Sequence, residues 1–250
     1  MDRVSILGVP VDVIDKEQLY RTIADVLRTG EKVCFANVNI HTINIAQGDR
    51  MFMDFLNEVP LVYCDGSGVR VGARILGAKP PPRISLTYWV WDLFGFCEAN
   101  GFSIFFLGGE KGNAGKAVDT VLEKHPRLKV VGSHHGYFEK SGPGSGGVIE
   151  LINSVKPNLL LVCFGMPLQE HWARENLAKL RCNVVLFGGA IIDYLSGSKG
   201  VPPRWMADHG LEWVYRVFHE PRRLWRRYLL GIPLFIRGTI LQRLREGKQQ

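Results

Sequence analysis

The sequence predicts an α/β fold: a Rossmann-like layered domain with a mainly parallel sheet, followed by an α-helical appendage. Short apolar, β-branched runs alternate with longer segments of helical periodicity over the first 200 residues. This alternation is typical of parallel strands joined by helical crossovers, which place ligands beyond the carboxyl ends of the strands. After residue 200 only helical spacing continues. We therefore expect a core over residues 1–200 and a helical appendage over residues 201–250.

Individual elements follow from local composition. Six runs have the character of buried strands: KVCFANV, LVYCD, SIFFLGG, LKVVGSHHG, NLLLVCFG and NVVLFGGA. Three have helical spacing: GNAGKAVDTVLEKH, GGVIELINSVK and QEHWARENLAKL. The stretch EKSGPGSGG predicts a surface loop before a helix that starts near Val148. In the appendage, Pro221 predicts a division between two helical segments, because proline has no N–H for the backbone ladder.

Composition indicates a packed protein of the reducing cytoplasm. Hydrophobic residues make up 46% of the 250, which is enough to build the core of one or two domains. The five cysteines are odd in number and lack CxxC spacing, so we expect reduced core residues. Pro10, Asp12 and Asp15 interrupt any apolar N-terminal run, which argues against a signal peptide. The apolar run YLLGIPLFI has nine residues, whereas a spanning helix needs about 20.

Positive charge is concentrated at one end of the chain. Of the formal net charge of +7, +6 arises from residue 201 onward. The stretch LEWVYRVFHEPRRLWRRYLLG carries five arginines interleaved with aromatic residues and leucines. Such a local concentration indicates an anionic partner, which the charge alone leaves open as nucleic acid, phosphate or lipid head groups.

Asp65 is the first candidate for chemistry. It directly follows an apolar strand and precedes Gly66 and Gly68, which allow close approach of the backbone to a ligand. A carboxylate at the end of a strand is well placed as a general base. The alternative is that Asp65 caps a helix that begins around Ser67.

Further polar groups follow other strands. FFLGGEKGNAGKA combines a strand, a turn at Gly108 and Gly109, and a helix start, an arrangement that presents N–H groups to phosphate. It has neither P-loop nor dinucleotide spacing, so a purely structural turn is the alternative. Gln169 and Asp193 also follow strands, and each alone could be satisfied by backbone donors. Neither a metal-binding HExxH pattern nor a GxSxG elbow occurs.

Taken in order, these stretches resemble the WecG/TagA/CpsF family of bacterial glycosyltransferases. The matching segments are ILGVPVDVID, ANVN, CDGSGVRVGARILG, FFLGGEKGNAGKA, GYF, FGMPLQEHW, GGAIIDYLSG and PPRWMADHGLEWVYRVFHEPRRLWRRYLLG. The resemblance implies an inverting enzyme without metal or cofactor. It implies transfer from a UDP-sugar to a sugar on a polyprenyl carrier, undecaprenyl diphosphate, in surface polysaccharide or teichoic acid synthesis.

The resemblance also implies roles for individual residues. Asp65 matches the family's proposed general base, and Arg83 matches an arginine near the active site, so both are expected to be catalytic. The expected donor-binding residues are Asn37, Asn39, Gly108, Gly109, Tyr137, Gln169 and Asp193. The sequence departs from the family at Asn37, His41, Leu86 and Tyr88, where Thr, Glu, Gly and Asp are common. These departures concern which sugar is transferred.

The resemblance gives the basic appendage an acceptor to bind. Arg216, Arg223 and Arg226 match arginines that reach the family's active site, and Arg222 and Arg227 lie beside them. Arginine binds diphosphate oxygens bidentately, which lysine does not, so we expect these five to hold the acceptor diphosphate. The alternative is that some only pair with Glu212 and Glu220 on the helix surface.

The other residues of this stretch have the composition of an interfacial helix. They are Trp213, Trp225, Tyr228, Leu229, Leu230, Leu234 and Phe235. Each basic residue near an anionic leaflet contributes about 1 kcal/mol, so we expect peripheral binding to the inner face of the cell membrane. A homo-oligomer is left open by the sequence.

Two other functions compete with this interpretation. A nucleic-acid-binding module would use the arginine-rich helix, but the nearly neutral first 200 residues offer no second basic patch along a duplex. A dinucleotide-dependent oxidoreductase would need a carboxylate for the ribose after the next strand, where the sequence reads VVGSHHG. We therefore expect a transferase with no nucleic-acid partner.

Overall fold

A computed structural model describes residues 2–248 of the chain. The strands in this range are β1 Arg3–Ile6, β2 Val9–Asp12, β3 Val33–Val38, β4 Leu61–Cys64, β5 Ser103–Gly108, β6 Lys129–His134, β7 Leu159–Cys163 and β8 Val184–Phe187. The helices are α1 Lys16–Thr29, α2 Ile40–Gly48, α3 Arg50–Glu58, α4 Ser67–Ile75, α5 Leu86–Asn100, α6 Asn113–Lys124, α7 Gly142–Val155, α8 Leu168–Asn176, α9 Ile191–Leu195, α10 Arg204–Asp208, α11 Glu212–His219, α12 Pro221–Trp225 and α13 Gly231–Glu246. A π-helical turn, Arg226–Leu230, joins α12 to α13.

Six of the strands form one sheet in the order β4-β3-β8-β7-β5-β6. The pairs β3–β8, β8–β7, β7–β5 and β5–β6 are parallel. Every residue of β7 and β8 is buried, as expected for strands covered on both faces. All six coincide with the runs predicted as strands, and the α/β layered fold with its helical C-terminal segment is confirmed.

A hairpin at the N-terminus is a feature that the sequence patterns did not predict. Strands β1 and β2 pair in antiparallel register from Arg3 opposite Asp12 to Ile6 opposite Val9. The two turn residues, Leu7 and Gly8, have φ of +52° and +80°, the combination typical of a type I′ turn.

The chain divides into two compact units. The first unit comprises residues 2–15, 37–85 and 201–248, and the second comprises residues 16–36 and 86–200. The helical segment from residue 201 onward therefore belongs to the same compact unit as the N-terminal hairpin. A separate functional role for residues 201–250 stays a prediction.

In the first unit, α13 is anchored by a buried aromatic side chain. Phe235 is fully buried, and a methyl group added at Gly72 of α4 would lie 2.6 Å from its ring. Asn44 Nδ2 donates to the carbonyl of Gly231 at 2.8 Å, and the N–H of Leu7 donates to Gln242 Oε1 at 2.8 Å. The expectation that Phe235 belongs to an interfacial surface is wrong, because the absence of a side chain at Gly72 leaves room to bury its ring.

The helices after residue 200 are divided at Pro221 as predicted, and one further short helix precedes them. Pro221 is the first residue of α12, where its missing N–H leaves no helical hydrogen bond unmade. Glu220 before it is non-helical, at φ −133° and ψ 58°, so the division at Pro221 is confirmed. The expectation of only two segments was incomplete, since the short helix α10 precedes them.

The prediction of a loop over EKSGPGSGG is wrong for most of that stretch. Helix α7 begins at Gly142, and Pro143 lies in its first turn, where proline is tolerated. Trp172 Nε1 donates to the buried Ser145 hydroxyl at 2.8 Å. A methyl group at Gly144 would lie 2.8 Å from Glu139 Cβ, so a small residue lets this turn pack tightly. Tertiary contacts thus make a helix from a composition typical of loops.

The second unit holds the ends of β5, β7 and β8 close together. Gly108 has φ +152°, and a methyl group added there would overlap the carbonyl group of Cys163. A methyl group at Gly188 would overlap the Cys163 sulfur in the same way. All five cysteines of the chain are buried free thiols, which confirms the prediction of reduced core residues.

We predict that Gly108→Ala destabilises the protein by about 2–4 kcal/mol, because alanine at this φ is strained and its methyl group meets Cys163. The matched control is Gly115→Ala in α6, where an added methyl group meets nothing within 4 Å. This control should stabilise the protein by about 0.5–1 kcal/mol, since alanine is the better helix former. Urea denaturation measures both, and equal stability of the two variants would contradict the prediction.

Candidate active site

A cavity of about 110 Å³ lies within the first unit. Its walls are the starts of α2 and α4 together with residues of α11 and the π-helical turn. The titratable side chains that line it are Asp65, Glu212, Arg216, Arg227, His41 and Tyr228. A carboxylate at a strand end thus shares one cavity with two guanidinium groups of the appendage.

Asp65 contributes its carboxylate to this cavity and does not cap a helix. Its backbone N–H donates to the carbonyl of Val38 at 2.9 Å, which fixes the chain directly after β4. The N-cap residue of α4 is Gly66, and no side chain accepts a hydrogen bond there. The capping alternative is therefore wrong, and the side chain is partly buried in the cavity wall. Its action as a general base stays a prediction.

The glycines after Asp65 bring two helix starts together. A methyl group added at Gly66 would lie 2.8 Å from Asn39 Cβ, and one at Gly68 would overlap Ile40. Asn39 caps α2: its Oδ1 accepts the N–H groups of His41 and Thr42 at 2.9 and 3.2 Å. Asn39 also lines the cavity, so its contact with a donor stays a prediction.

Asn37 lies deeper than a ligand-binding residue is expected to lie. Only 7% of it is exposed, and its Nδ2 donates to the buried Tyr63 hydroxyl at 3.4 Å. A direct role in donor binding stays a prediction for this residue.

Arg83 contacts three groups of the first unit through its guanidinium nitrogens. Nε donates to the carbonyl of Asp65 at 3.1 Å, and Nη1 donates to the carbonyl of Ala207 at 2.6 Å. Nη2 forms an ion pair with Glu212 Oε1 at 2.7 Å, although the two groups are not aligned as a hydrogen bond. Arg83 therefore ties the chain after β4 to α10 and α11, and this geometry indicates a positioning residue. A catalytic contact of Arg83 stays a prediction.

The five appendage arginines fall into two groups. Arg216 and Arg227 line the cavity. Arg222, Arg223 and Arg226 lie on the exposed surface. Arg223 pairs with Glu220 at 2.5 Å, which is the surface pairing that the sequence offered as an alternative. The guanidinium of Arg226 lies 5.2 Å from the centre of the Trp225 ring.

Three other cavity residues were not assigned to a substrate site from the sequence. Trp213 and Tyr228 were grouped with the interfacial residues, but their rings lie 5.9 Å apart in the cavity wall. Burial, assisted by the charge of Arg227, lowers the pKa of His41 to about 4, so its ring is neutral at physiological pH. Burial also lowers the pKa of Arg227, and Tyr228 opposes that shift. Only the departure at His41 signalled any of these.

In the second unit, four predicted donor-binding residues gather at the ends of β5 and β8. The N–H of Gly109 donates to the carbonyl of Cys163 at 3.2 Å, and the N–H of Gly136 donates to the carbonyl of Gly109 at 2.8 Å. The second bond holds the turn with Tyr137, which is 68% exposed, next to Gly108 and Gly109. A methyl group added at Gly109 would lie 3.3 Å from Asp193 Oδ1.

Asp193 is surrounded by polar partners that the sequence did not single out. Its Oδ1 accepts from Asn113 Nδ2 at 3.2 Å, and its Oδ2 pairs with Lys199 Nζ at 3.3 Å. Its carboxylate is therefore held in place at the end of β8. Contact with a donor stays a prediction.

Gln169 is buried, with 1% of it exposed. Its Oε1 accepts the N–H groups of Gly165 and Gly189 at 3.1 and 3.2 Å, and its Nε2 donates to Glu170 Oε1 at 2.8 Å. The Gln169 side chain thus accepts hydrogen bonds from backbone donors, which is one of the two alternatives that the sequence left open. Direct contact with a donor stays a prediction.

Residues 2–248 contain neither a cluster of metal-binding side chains nor a helix that could span a membrane. Within that range, no group of three or more His, Cys, Asp and Glu side chains is arranged to hold a metal ion. Of the helices there, none has the length and apolar character that crossing a bilayer requires.

We predict that Arg83→Leu lowers the free energy of unfolding by about 3–5 kcal/mol, because it leaves the largely buried Glu212 carboxylate without its partner. The double variant Arg83→Leu/Glu212→Leu should lose less than the two single variants combined, since no unpaired charge remains. Urea denaturation of the four proteins gives the coupling energy. A loss below about 1 kcal/mol for Arg83→Leu would contradict the proposed positioning role.

Comparison with known proteins identifies the family. The model of the glycosyl transferase WecG/TagA/CpsF family matches residues 4–249. The N-acetylglucosaminyldiphosphoundecaprenol N-acetyl-beta-D-mannosaminyltransferase of Staphylococcus aureus strain MW2 is 23% identical over 236 residues, which cover 94% of this chain and 91% of that protein. The protein of the same name from strain MRSA252 is 24% identical over 237 residues, with the same coverage. Neither a nucleic-acid-binding protein nor an oxidoreductase is indicated by these matches. The chain belongs to the glycosyl transferase WecG/TagA/CpsF family.

Proposed function

We propose that this chain transfers a sugar from a UDP-sugar to a hydroxyl group of an undecaprenyl-diphosphate-linked sugar. The observation that carries the proposal is the cavity in which the Asp65 carboxylate meets Arg216 and Arg227. One carboxylate suits deprotonation of a hydroxyl group, and two guanidinium groups suit a diphosphate. The names of the S. aureus relatives describe transfer to N-acetylglucosaminyldiphosphoundecaprenol, which contains both of these groups.

In the proposed reaction, the acceptor oxygen attacks the anomeric carbon of the donor sugar. A bond forms between that oxygen and the carbon, the bond from the carbon to the UDP oxygen breaks, and the proton passes to Asp65. A single displacement of this kind inverts the anomeric centre. Of the two carboxylates in the cavity, Glu212 is engaged by Arg83 at 2.7 Å, which favours Asp65 as the base.

We assign the acceptor diphosphate to Arg216 and Arg227. Both are on the appendage and both line the cavity, whereas the other three arginines lie on the exposed surface. The neutral ring of His41 leaves the positive charge of the cavity to these guanidinium groups. Bidentate hydrogen bonds to a diphosphate are about twice as strong as bonds between neutral groups.

We assign the donor to the strand-end loops of the second unit. In parallel α/β sheets, ligands bind beyond the carboxyl ends of strands. The turn at Gly108 and Gly109, the exposed Tyr137 ring and the Asp193 carboxylate are all at the ends of strands in that unit. The backbone N–H groups near α6 suit a phosphate, and an exposed aromatic ring suits a base.

We predict that Asp65→Asn lowers the rate of sugar transfer by about 10²–10⁴-fold, because the amide cannot accept the proton. The assay follows release of UDP, with UDP-N-acetylmannosamine as the first donor and a lipid-diphosphate-linked N-acetylglucosamine as acceptor, in the presence and absence of EDTA. The matched control is Asp2→Asn, which changes an exposed carboxylate of the same unit and should keep full activity. Asp65→Asn activity within about threefold of the wild type would reject the base, and failure of every UDP-sugar would reject the transferase.

We further propose that the appendage binds the surface of an anionic membrane. Leu229, Leu230 and Leu234 are each 58–59% exposed, and Arg222 and Arg226 are exposed on the same stretch of chain. Apolar side chains beside basic ones are typical of peripheral interfacial helices. Membrane binding of this kind places the cavity of the first unit near the lipid that carries the acceptor.

We predict that changing Leu229, Leu230 and Leu234 to serine weakens binding to phosphatidylglycerol vesicles by at least about tenfold. The reason is that three apolar side chains are then no longer transferred from water into the membrane. The control is Leu151→Ser, an exposed leucine of the second unit that should not affect binding. Co-sedimentation with vesicles measures both, at low and high salt. Equal binding by the triple variant and the wild type would contradict the proposed surface.

A further inference from the structure

Glu170 is a buried carboxyl group that the proposed reaction does not use. It follows Gln169 in the first turn of α8, and only 3% of it is exposed. Its Oε1 accepts a hydrogen bond from Gln169 Nε2 at 2.8 Å. Its Oε2 is buried without a hydrogen-bond partner among residues 2–248. Burial of a half-satisfied carboxyl group is costly, so its presence needs a reason other than stability.

The Gln169 side chain joins two loops through a single oxygen atom. Gly165 lies in the loop after β7, and Gly189 lies in the loop after β8. Both of their N–H groups donate to Gln169 Oε1, at 3.1 and 3.2 Å. Both glycines have positive φ, +89° and +58°, so each loop holds a conformation that few other residues adopt.

The orientation of the Gln169 carboxamide decides whether this junction exists. A carboxamide has an acceptor oxygen at one end and a donor nitrogen at the other. If it rotated by half a turn, its NH₂ group would face the two loop N–H groups, and three donors would meet without an acceptor. The hydrogen bond from Nε2 to Glu170 opposes that rotation, because it places an acceptor where only the nitrogen is favourable.

We infer that Glu170 is a positioning residue for the donor site, which fixes the Gln169 carboxamide and thereby holds the loops after β7 and β8. The inference rests on the proposed assignment of the donor to the strand-end loops of the second unit. The loop after β8 leads directly into α9, which carries Asp193. The carbonyl of Cys163, at the end of β7, accepts the N–H of Gly109. Loss of the junction would therefore disturb both sides of the expected donor site.

The ionisation of Glu170 provides an independent signature. Burial raises its pKa to about 7, and the hydrogen bond from Gln169 opposes the shift. A carboxyl group whose pKa is raised on folding makes the protein more stable at low pH, and this contribution is lost as the pH rises from about 4.5, its ordinary pKa, to about 7. The titratable neighbour that senses Glu170 is the buried Cys34 thiol, whose own pKa is raised mainly by burial.

Three variants test the positioning role. Glu170→Gln keeps an acceptor oxygen for Gln169, Glu170→Asp withdraws it by one methylene group, and Glu170→Leu removes it. We expect Glu170→Leu to weaken UDP binding, measured by calorimetry, and to raise the KM for the donor by about 10–100-fold, with the acceptor KM unchanged. Glu170→Asp should change both in the same direction by less. Glu170→Gln should bind UDP within about threefold of the wild type and should lack the loss of stability between about pH 4.5 and pH 7.

Hydrogen exchange separates this inference from the proposed function. Without any nucleotide, amide exchange at Gly165 and Gly189 should be faster in Glu170→Leu and Glu170→Asp than in the wild type and in Glu170→Gln. If the wild type binds no UDP but exchange follows this pattern, the proposed donor site fails and the junction stands. If Glu170→Leu, or Glu170→Asp where the leucine variant does not fold, exchanges and binds UDP as the wild type does, the inference is overturned. Equal impairment by Glu170→Gln and Glu170→Leu would also overturn it.

Discussion

The cavity of the first unit depends on the burial of Phe235 against α4. Full burial of a phenylalanine side chain contributes about 1.5–3 kcal/mol, and here the ring fits only because position 72 has no side chain. Once Phe235 is in place, the start of α13 is fixed, and so is the π-helical turn directly before it. Arg227 and Tyr228 are on that turn, and both line the cavity with Asp65. An apolar contact therefore determines where the charged groups of the site lie.

The charges that line the cavity are partly compensated by a residue outside its lining. Glu212 is turned to Arg83, which also holds the backbone of Asp65 and Ala207. This leaves one carboxylate to face two guanidinium groups. Because burial keeps His41 neutral, this ring does not change the charge of the cavity over the physiological pH range. A cavity of this kind favours an anionic ligand while it keeps an acceptor for one proton.

In the second unit, several loops are held together at the ends of parallel strands. Glycine backbones approach so closely there that a methyl group at Gly108 or Gly188 would overlap Cys163. The Gln169 carboxamide joins the loops after β7 and β8 by hydrogen bonds. Hydrogen bonds between backbone N–H groups and one amide side chain therefore order the loops on which donor binding is proposed to depend.

The sequence by itself determined the sheet, the family and the general-base candidate. A buried parallel strand needs a short apolar run, and the local end signals after each run do not depend on distant contacts, so all six strands were predictable. Asp65 was predictable for the same reason, because its position after β4 is local. Only the tertiary structure decided which polar residues share a cavity, since a helical residue's neighbours depend on what packs against its helix. Phe235 appeared interfacial until Gly72 provided space, and five similar arginines separated into two in the cavity and three on the surface. The start of α7 was likewise decided by the buried contact between Ser145 and Trp172, which outweighs the loop-like composition of that stretch.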